Sequence, residues 1–279
     1  VKLGSRSLKR TSGYELMHLL IGSEGTLGII TEINLQLAGI PEERKRLVYS
    51  FPNELAAVEA VTEIKRYGLD VAALEYLDRR TVEAMNDVQE YELDVAPYLF
   101  IEAHGLESAV KVLMEYVSDI CLEKGGQVVT LPGDTDPWEI RHYVTPSIKL
   151  RRPECTIIRN DTSVPPSKLI PLVEFAYKEA EALGIEIYVF GHLGIGILHV
   201  LILANEGDHD TWNAANQLNE LIISEGIKMG GSTSGEHGIG VAHRFQMAQE
   251  VGPALMLMEG IKKVFDPNGI LNPDKILYK

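Results

Sequence analysis

Cysteine is scarce in this sequence. Cys121 and Cys155 are the only two in 279 residues, and neither has a CxxC partner. That excludes a disulfide-stapled scaffold and a cysteine-held cluster within the chain, and it fits a reducing, cytoplasmic setting. No run of about 18 uninterrupted apolar residues occurs, which argues against a membrane-spanning helix. Residues 1–13 lack the apolar centre of a signal peptide. Positive charge is also short. Lys and Arg total 26 against 40 Asp and Glu, a net charge of -14, and the basic residues never gather into a long run. A generalised nucleic-acid surface is therefore not expected, and an anionic substrate would need a local basic pocket.

The composition, 45% hydrophobic and 24% charged, is that of a globular protein with one large core or two smaller ones. The chain opens at Val1 without an initiating methionine, so it is expected to begin inside a longer protein. From Leu47 onward, strand-like and helix-like segments alternate. Strands are predicted at 46–51, 71–77, 98–103 and 127–131. Helices between them span 55–67, capped by Asn53 and stopped by Gly68, then 80–88, then 108–124 with Ser108 as cap. The second half repeats the order. Strands are expected at 155–160, 185–190 and 197–203, and helices at 167–183, capped by Ser167, and 210–225. A separate helix is expected over 137–150. This order predicts an α+β fold of two ferredoxin-like βαββαβ units sharing one sheet. Outside them, the Gly-rich turn 22–28 feeds an apolar strand, 29–37, and a Pro/Gly/Asn-rich tail follows a helix over 253–264.

Four places could carry chemistry. His192 and His199 flank the turn 191–196. If the neighbouring strands form a hairpin, both imidazoles converge on one point, as half of a metal site or as two structural histidines. The segment 230–240 holds Glu236 and His237 among five glycines, either as a ligand and base pair or as an incidental pair in a surface loop. No lysine stands where a phosphate loop would need one. Arg141 and Thr145, four apart, share a face of the predicted helix, which Lys149 continues toward Arg151, Arg152 and Arg159. That face is either an anion pocket or a solvated surface paired with Asp134, Asp136 and Glu139. Turns such as 22–28 are common, and this one is not specific by itself.

Taken together and in order, these segments resemble a known family. Gly22-Ser23-Glu24-Gly25-Thr26-Leu27-Gly28-Ile29 within 18–32, the Gly-Glu-His-Gly loop at 235–238, and the tail signature 266–275 are similar to the FAD-linked oxidases. That family includes glycolate oxidase's flavin subunit, D-lactate dehydrogenase and D-2-hydroxyglutarate dehydrogenase. The resemblance spans nearly the whole chain. It implies the end of a vanillyl-alcohol-oxidase-type FAD-binding domain at 1–40, a cap or substrate domain at 41–245, and a helix and tail, 246–279, returning to the flavin domain. The pyrophosphate-binding loop would precede Val1, in a missing N-terminal half.

The resemblance further implies a divalent metal, zinc with iron or manganese as alternatives, held by His192, His199 and Glu236. It makes His237 the general base and gives the substrate carboxylate to Arg141, Thr145 and Arg159. Contacts to FAD fall to Gly22, Ser23, Glu24, Gly25, Gly28, Ile29 and Asn272. The implied reaction oxidises a small 2-hydroxy acid, D-lactate or glycolate-like, to the 2-oxo acid, with hydride passing to flavin. An iron–sulfur protein or electron-transfer flavoprotein is the implied acceptor. A homodimer and peripheral membrane association through a partner are compatible with it. One departure stands out. Where the family pattern is polar, this chain has Ile195, Ile197 and Leu201. These favour an apolar substrate side chain. They equally suit the competing reading, a non-catalytic scaffold or electron-transfer subunit that keeps the fold.

Overall fold

The computed structural model describes residues 1–89, 91–131 and 135–277. The chain divides into two compact units, one formed by Ile40–Gly235 and the other by Val1–Gly39 with Glu236–Lys279.

The larger unit is built on one seven-stranded sheet, order β4-β1-β3-β2-β6-β7-β5. Its strands are β1 (Glu43–Ser50), β2 (Ala73–Leu77), β3 (Tyr98–Gly105), β4 (Gln127–Val128), β5 (Thr156–Ser163), β6 (Ile187–Gly191) and β7 (Ile197–Ala204). Every pairing is antiparallel. Strand side chains alternate between the two faces, and the chain uses this period of two to build two cores. Leu198, Val200 and Ile202 of β7, Ile187 and Val189 of β6, and Leu74 and Tyr76 of β2 face one core. Helices α2 (Glu54–Arg66), α4 (Glu107–Glu123), α7 (Leu169–Leu183) and α8 (His209–Lys228) cover it. The opposite face carries Leu201, Leu203, Tyr188, Leu77 and Phe100. It is covered by α3 (Arg79–Gln89), α5 (Pro137–His142) and α6 (Val144–Arg151).

Local chemistry explains most boundaries. The Asn53 side chain accepts from Ala56 N at the start of α2, and Asp208 accepts from Asp210 N and Thr211 N at the start of α8. Gly184 closes α7 at φ 66°. Two predicted caps are not realised. Helix α4 starts one residue before Ser108, after Leu106, with no capping side chain, and Ser167 sits inside a single 3₁₀ turn, Pro166–Lys168, ahead of α7. The expected helix over 137–150 is interrupted at Tyr143, whose N–H bonds to Ile140 O, so α5 and α6 are separate elements.

In the smaller unit, α1 is Met17–Leu20, α9 is Arg244–Val251 and α10 is Leu255–Phe265. The apolar run 29–37 is not a strand. A strand needs a neighbour for its backbone N–H and C=O groups, and none of the described residues pairs with this run. Ile29, Ile33, Leu35 and Leu37 are exposed. Among the described residues, no helix is long and apolar enough to cross a membrane.

Candidate active site

The face of the sheet that holds α3, α5 and α6 also carries a row of polar side chains, and the strand register places them. His199 of β7 lies opposite Asp161 of β5 on one side and Phe190 of β6 on the other. Tyr76 pairs with Gly191, so the antiparallel register brings Glu75 of β2 opposite His192, the first residue beyond β6. Cross-strand neighbours of this kind lie about 4.5–5.5 Å apart at Cβ, so contact follows from register alone. The two imidazoles meet edge to face with ring centres 5.1 Å apart. The convergence expected of the hairpin is present.

Each histidine turns Nδ1 toward a buried carboxylate. His192 Nδ1 is 2.8 Å from both oxygens of Glu75. His199 Nδ1 is 3.2 Å from Asp161 Oδ1. Asp161 is itself held, its Oδ2 accepting from Ser234 Oγ at 2.8 Å and its carbonyl from Gly235 N at 2.7 Å. Ile197 and Leu201 flank His199 on the same face of β7, and Phe190 lies 5.3 Å from its ring, so this histidine is walled by apolar groups. Ile195, in contrast, is exposed.

Of the predicted cationic cluster, only Arg141 reaches this row. Its Nε is 3.0 Å from Glu75 and its Nη2 is 2.7 Å from His192 Nε2. Arg151 pairs with Glu83 and Asp87 of α3, and Arg152 with Glu186. Asp136 caps α5 and pairs with Arg46, not Arg141. Asp134 lies outside the described residues. Thr145 is half-buried in the first turn of α6, and Arg159 is an exposed residue of β5 opposite Leu201. The mooring of α5 is specific. Glu102 accepts from Trp138 Nε1 at 2.7 Å and from Arg46 Nε at 2.6 Å, and Arg46 lies 5.7 Å over the Trp138 ring. Burial pushes the Glu102 carboxyl up, but these donors outweigh it and hold it below the usual range.

In the smaller unit, Glu236 and His237 are exposed and 3.4 Å apart. The loop that follows them is tied by Glu24, whose carboxylate accepts from Ile239 N at 2.6 Å and Gly240 N at 2.8 Å. The turn 22–28 satisfies its other side chains internally. Ser23 Oγ donates to Leu20 O and Thr26 Oγ1 to Ser23 O. Asn272 Nδ2 donates to the carbonyl of Glu24, and Lys262 ties Thr26 O, Leu271 O and Asp266 together. The Lys262 ammonium holds the Asp266 carboxyl down at about 2. Gly22 opens onto free space where a Cβ would stand, and Gly28 faces Leu20.

The comparison with known sequences decides the family. The model described as FAD linked oxidases, C-terminal domain, matches residues 40–276. The chain belongs to the FAD-linked oxidases. It is 33% identical to a D-lactate dehydrogenase of Anaerostipes hadrus, over 100% of this chain and 62% of that one. It is 32% identical to the mitochondrial D-lactate dehydrogenase [cytochrome] of Arabidopsis thaliana, over 99% of this chain and 50% of that one. Glycolate oxidase subunit GlcD of Bacillus subtilis matches at 31%, over 100% and 60%. This FAD-linked oxidase chain thus spans between half and two thirds of the length of these relatives. Among solved structures, p-cresol methylhydroxylase with substrate bound superposes with a TM-score of 0.74 at 17% identity, covering 96% of this chain and 59% of that one. At that identity the likeness concerns the fold alone, a mixed helix and antiparallel-sheet arrangement.

Two residues of the row escape a reading of motifs, Glu75 and Asp161. Their signal was an acid inside an otherwise apolar strand, Ala73–Leu77, and a polar run, Arg159–Ser163, that carries β5 past the expected end at 160. Neither resembles a motif, because their partners are distant in sequence.

Proposed function

We propose that this chain is the substrate-domain portion of an FAD-dependent 2-hydroxy-acid dehydrogenase that oxidises a small acid of the D-lactate or glycolate type. The observation that carries the reading is the pair of imidazoles on one hairpin, each with Nδ1 at a buried carboxylate, beside Arg141 on an apolar sheet face. A carboxylate at Nδ1 leaves Nε2 as the ligand nitrogen, so the donors fit a divalent metal such as zinc, iron or manganese. His192 and His199 would hold it, with Glu236 as the third ligand. Metal and flavin, when bound, supply polarisation of the substrate hydroxyl and acceptance of hydride. In this reading Arg141, with Thr145 and Arg159, orients the substrate carboxylate, and His237 removes the hydroxyl proton.

FAD fits the turn 22–28 through backbone rather than side chains. Its hydroxyls and the Glu24 carboxylate are already engaged, while Gly22 has open space beside its main chain and Gly25 is packed by the Asn272 side chain. Gly22, Ser23, Glu24, Gly25, Gly28, Ile29 and Asn272 therefore remain the proposed cofactor contacts. An iron–sulfur protein or electron-transfer flavoprotein is the proposed acceptor. The cap is proposed as two βαββαβ units. The sheet order supports it, since β4-β1-β3-β2 is one antiparallel set and β6-β7-β5 another, extended by a bridge from Ser163 to Ser232.

Ile197 and Leu201 beside His199 favour lactate over a diacid. Steady-state oxidation by the complete protein should give a higher kcat/KM on D-lactate than on 2-hydroxyglutarate, and the reverse order would overturn this assignment. Elemental analysis of the purified chain should find close to one divalent metal, lost in His199→Ala. If reconstitution gives no metal in the complete protein, the non-catalytic scaffold is the better reading.

A further inference from the structure

Glu75 is buried in the middle of a β-strand, where an ionised carboxylate is costly unless strongly partnered. Its partners are two residues of the proposed site. Both oxygens lie 2.8 Å from His192 Nδ1, and Oε2 is 3.0 Å from Arg141 Nε. Arg141 in turn places Nη2 at 2.7 Å from His192 Nε2.

The contact with Glu75 fixes where the ring carries a hydrogen. A carboxylate can only accept, so Nδ1 carries the hydrogen. Arg141 Nη2 lies beside the ring, 2.7 Å from Nε2 and 3.1 Å from Nδ1. A hydrogen on Nδ1 leaves Nε2 as the nitrogen that can serve as a metal ligand. The same carboxylate anchors the arginine that is proposed to meet the substrate. One acid thus sets the tautomer of one site residue and the position of another.

We infer that Glu75 is a positioning residue of the proposed site, holding His192 as the Nδ1–H tautomer and fixing Arg141 beside it. The inference rests on the proposed function only for the identity of what His192 and Arg141 bind; the tautomer and its cause are independent of it.

The test is nitrogen-15 spectroscopy of the histidine rings in the chain, with His192 assigned through its loss in His192→Ala. The native ring should carry its hydrogen on Nδ1. In Glu75→Gln the amide can turn either its oxygen or its NH₂ toward the ring, so the Nε2–H tautomer should appear. Zinc affinity, measured by calorimetry with zinc alone, should fall about 10- to 100-fold. Glu75→Asp keeps the charge but withdraws it by one methylene, and it should not restore either property. A native His192 protonated on Nε2 overturns the inference, as does a folded Glu75→Gln chain with unchanged tautomer and zinc affinity. If Glu75→Gln does not fold, the native spectrum decides alone. A chain that responds as expected but belongs to a protein inactive on every 2-hydroxy acid supports the role of Glu75 and overturns the substrate reading.

Discussion

Asp78 is a fully buried carboxylate at the start of α3. It accepts from Thr81 N at 2.7 Å, from Val189 N at 2.9 Å and from Tyr177 Oη at 3.0 Å. Burial outweighs these donors and raises its carboxyl to about 6 from 3.8. The sign of the pH effect follows. Between these two values the folded chain binds more protons than the unfolded one, so this group's contribution falls as pH rises and is constant above about 6. Stability of the native chain relative to Asp78→Asn should therefore decline by about 2 kcal/mol from pH 4 to pH 7. Denaturation midpoints of both proteins at several pH values would check it, and parallel curves would exclude it. Gly196 shows a different residue-scale constraint. It closes the His192–His199 hairpin at φ 82°, and a Cβ there would stand 2.1 Å from Val164 O. Gly196→Ala should cost about 3 kcal/mol or more and disturb both imidazoles. Urea titration and zinc affinity together would show it. The glycine-rich turn was plain in the sequence. That its glycine is pressed against Val164, the residue just beyond β5, was not, because the two are far apart in sequence.

At the scale of elements, the hairpin of β6 and β7 was legible because two apolar runs flank a short glycine-rich turn, and period two then puts Ile197, His199 and Leu201 on one face. The helices α2, α7 and α8 were legible through their apolar spacing. The caps at Ser108 and Ser167 failed because a hydroxyl near a helix start is only a cap if the backbone turns there, and tertiary packing started these helices elsewhere. Helix α5 matters most for the site, since it delivers Arg141. Its mooring joins Trp138 and Asp136 to Glu102 and Arg46 on the sheet. Trp138→Phe keeps an aromatic ring at this position but removes the N–H donor to Glu102. It should lower stability by about 2 kcal/mol, as expected for a hydrogen bond to a charged group. An unchanged urea midpoint would show that the arginine pair alone moors the helix.

At the scale of the whole molecule, both hydrophobic cores are drawn from residues of the larger unit. Residues 40–235 expressed alone should therefore unfold in one cooperative transition, monitored by circular dichroism. A broad, non-cooperative melt would show that the cores need the other unit. The smaller unit leaves Ile29, Ile33, Leu35, Leu37, Met256 and Leu257 exposed, so limited proteolysis of the chain should cut first within 1–39 and 236–277.

The sequence by itself determined the class of the fold, the hairpin that carries two histidines, and the family to which the ordered glycine motifs point. These are local properties, set by periodicity, turn chemistry and contiguous motifs. Only the tertiary structure decided that Glu75 stands behind His192, that Asp161 stands beside His199, and that Arg141 alone of its cluster reaches them. It also denied the run 29–37 the strand its composition favours. The physical reason is common to all four. Each depends on a partner far away in the chain, chosen by strand register and helix docking, and no spacing along the sequence records that choice.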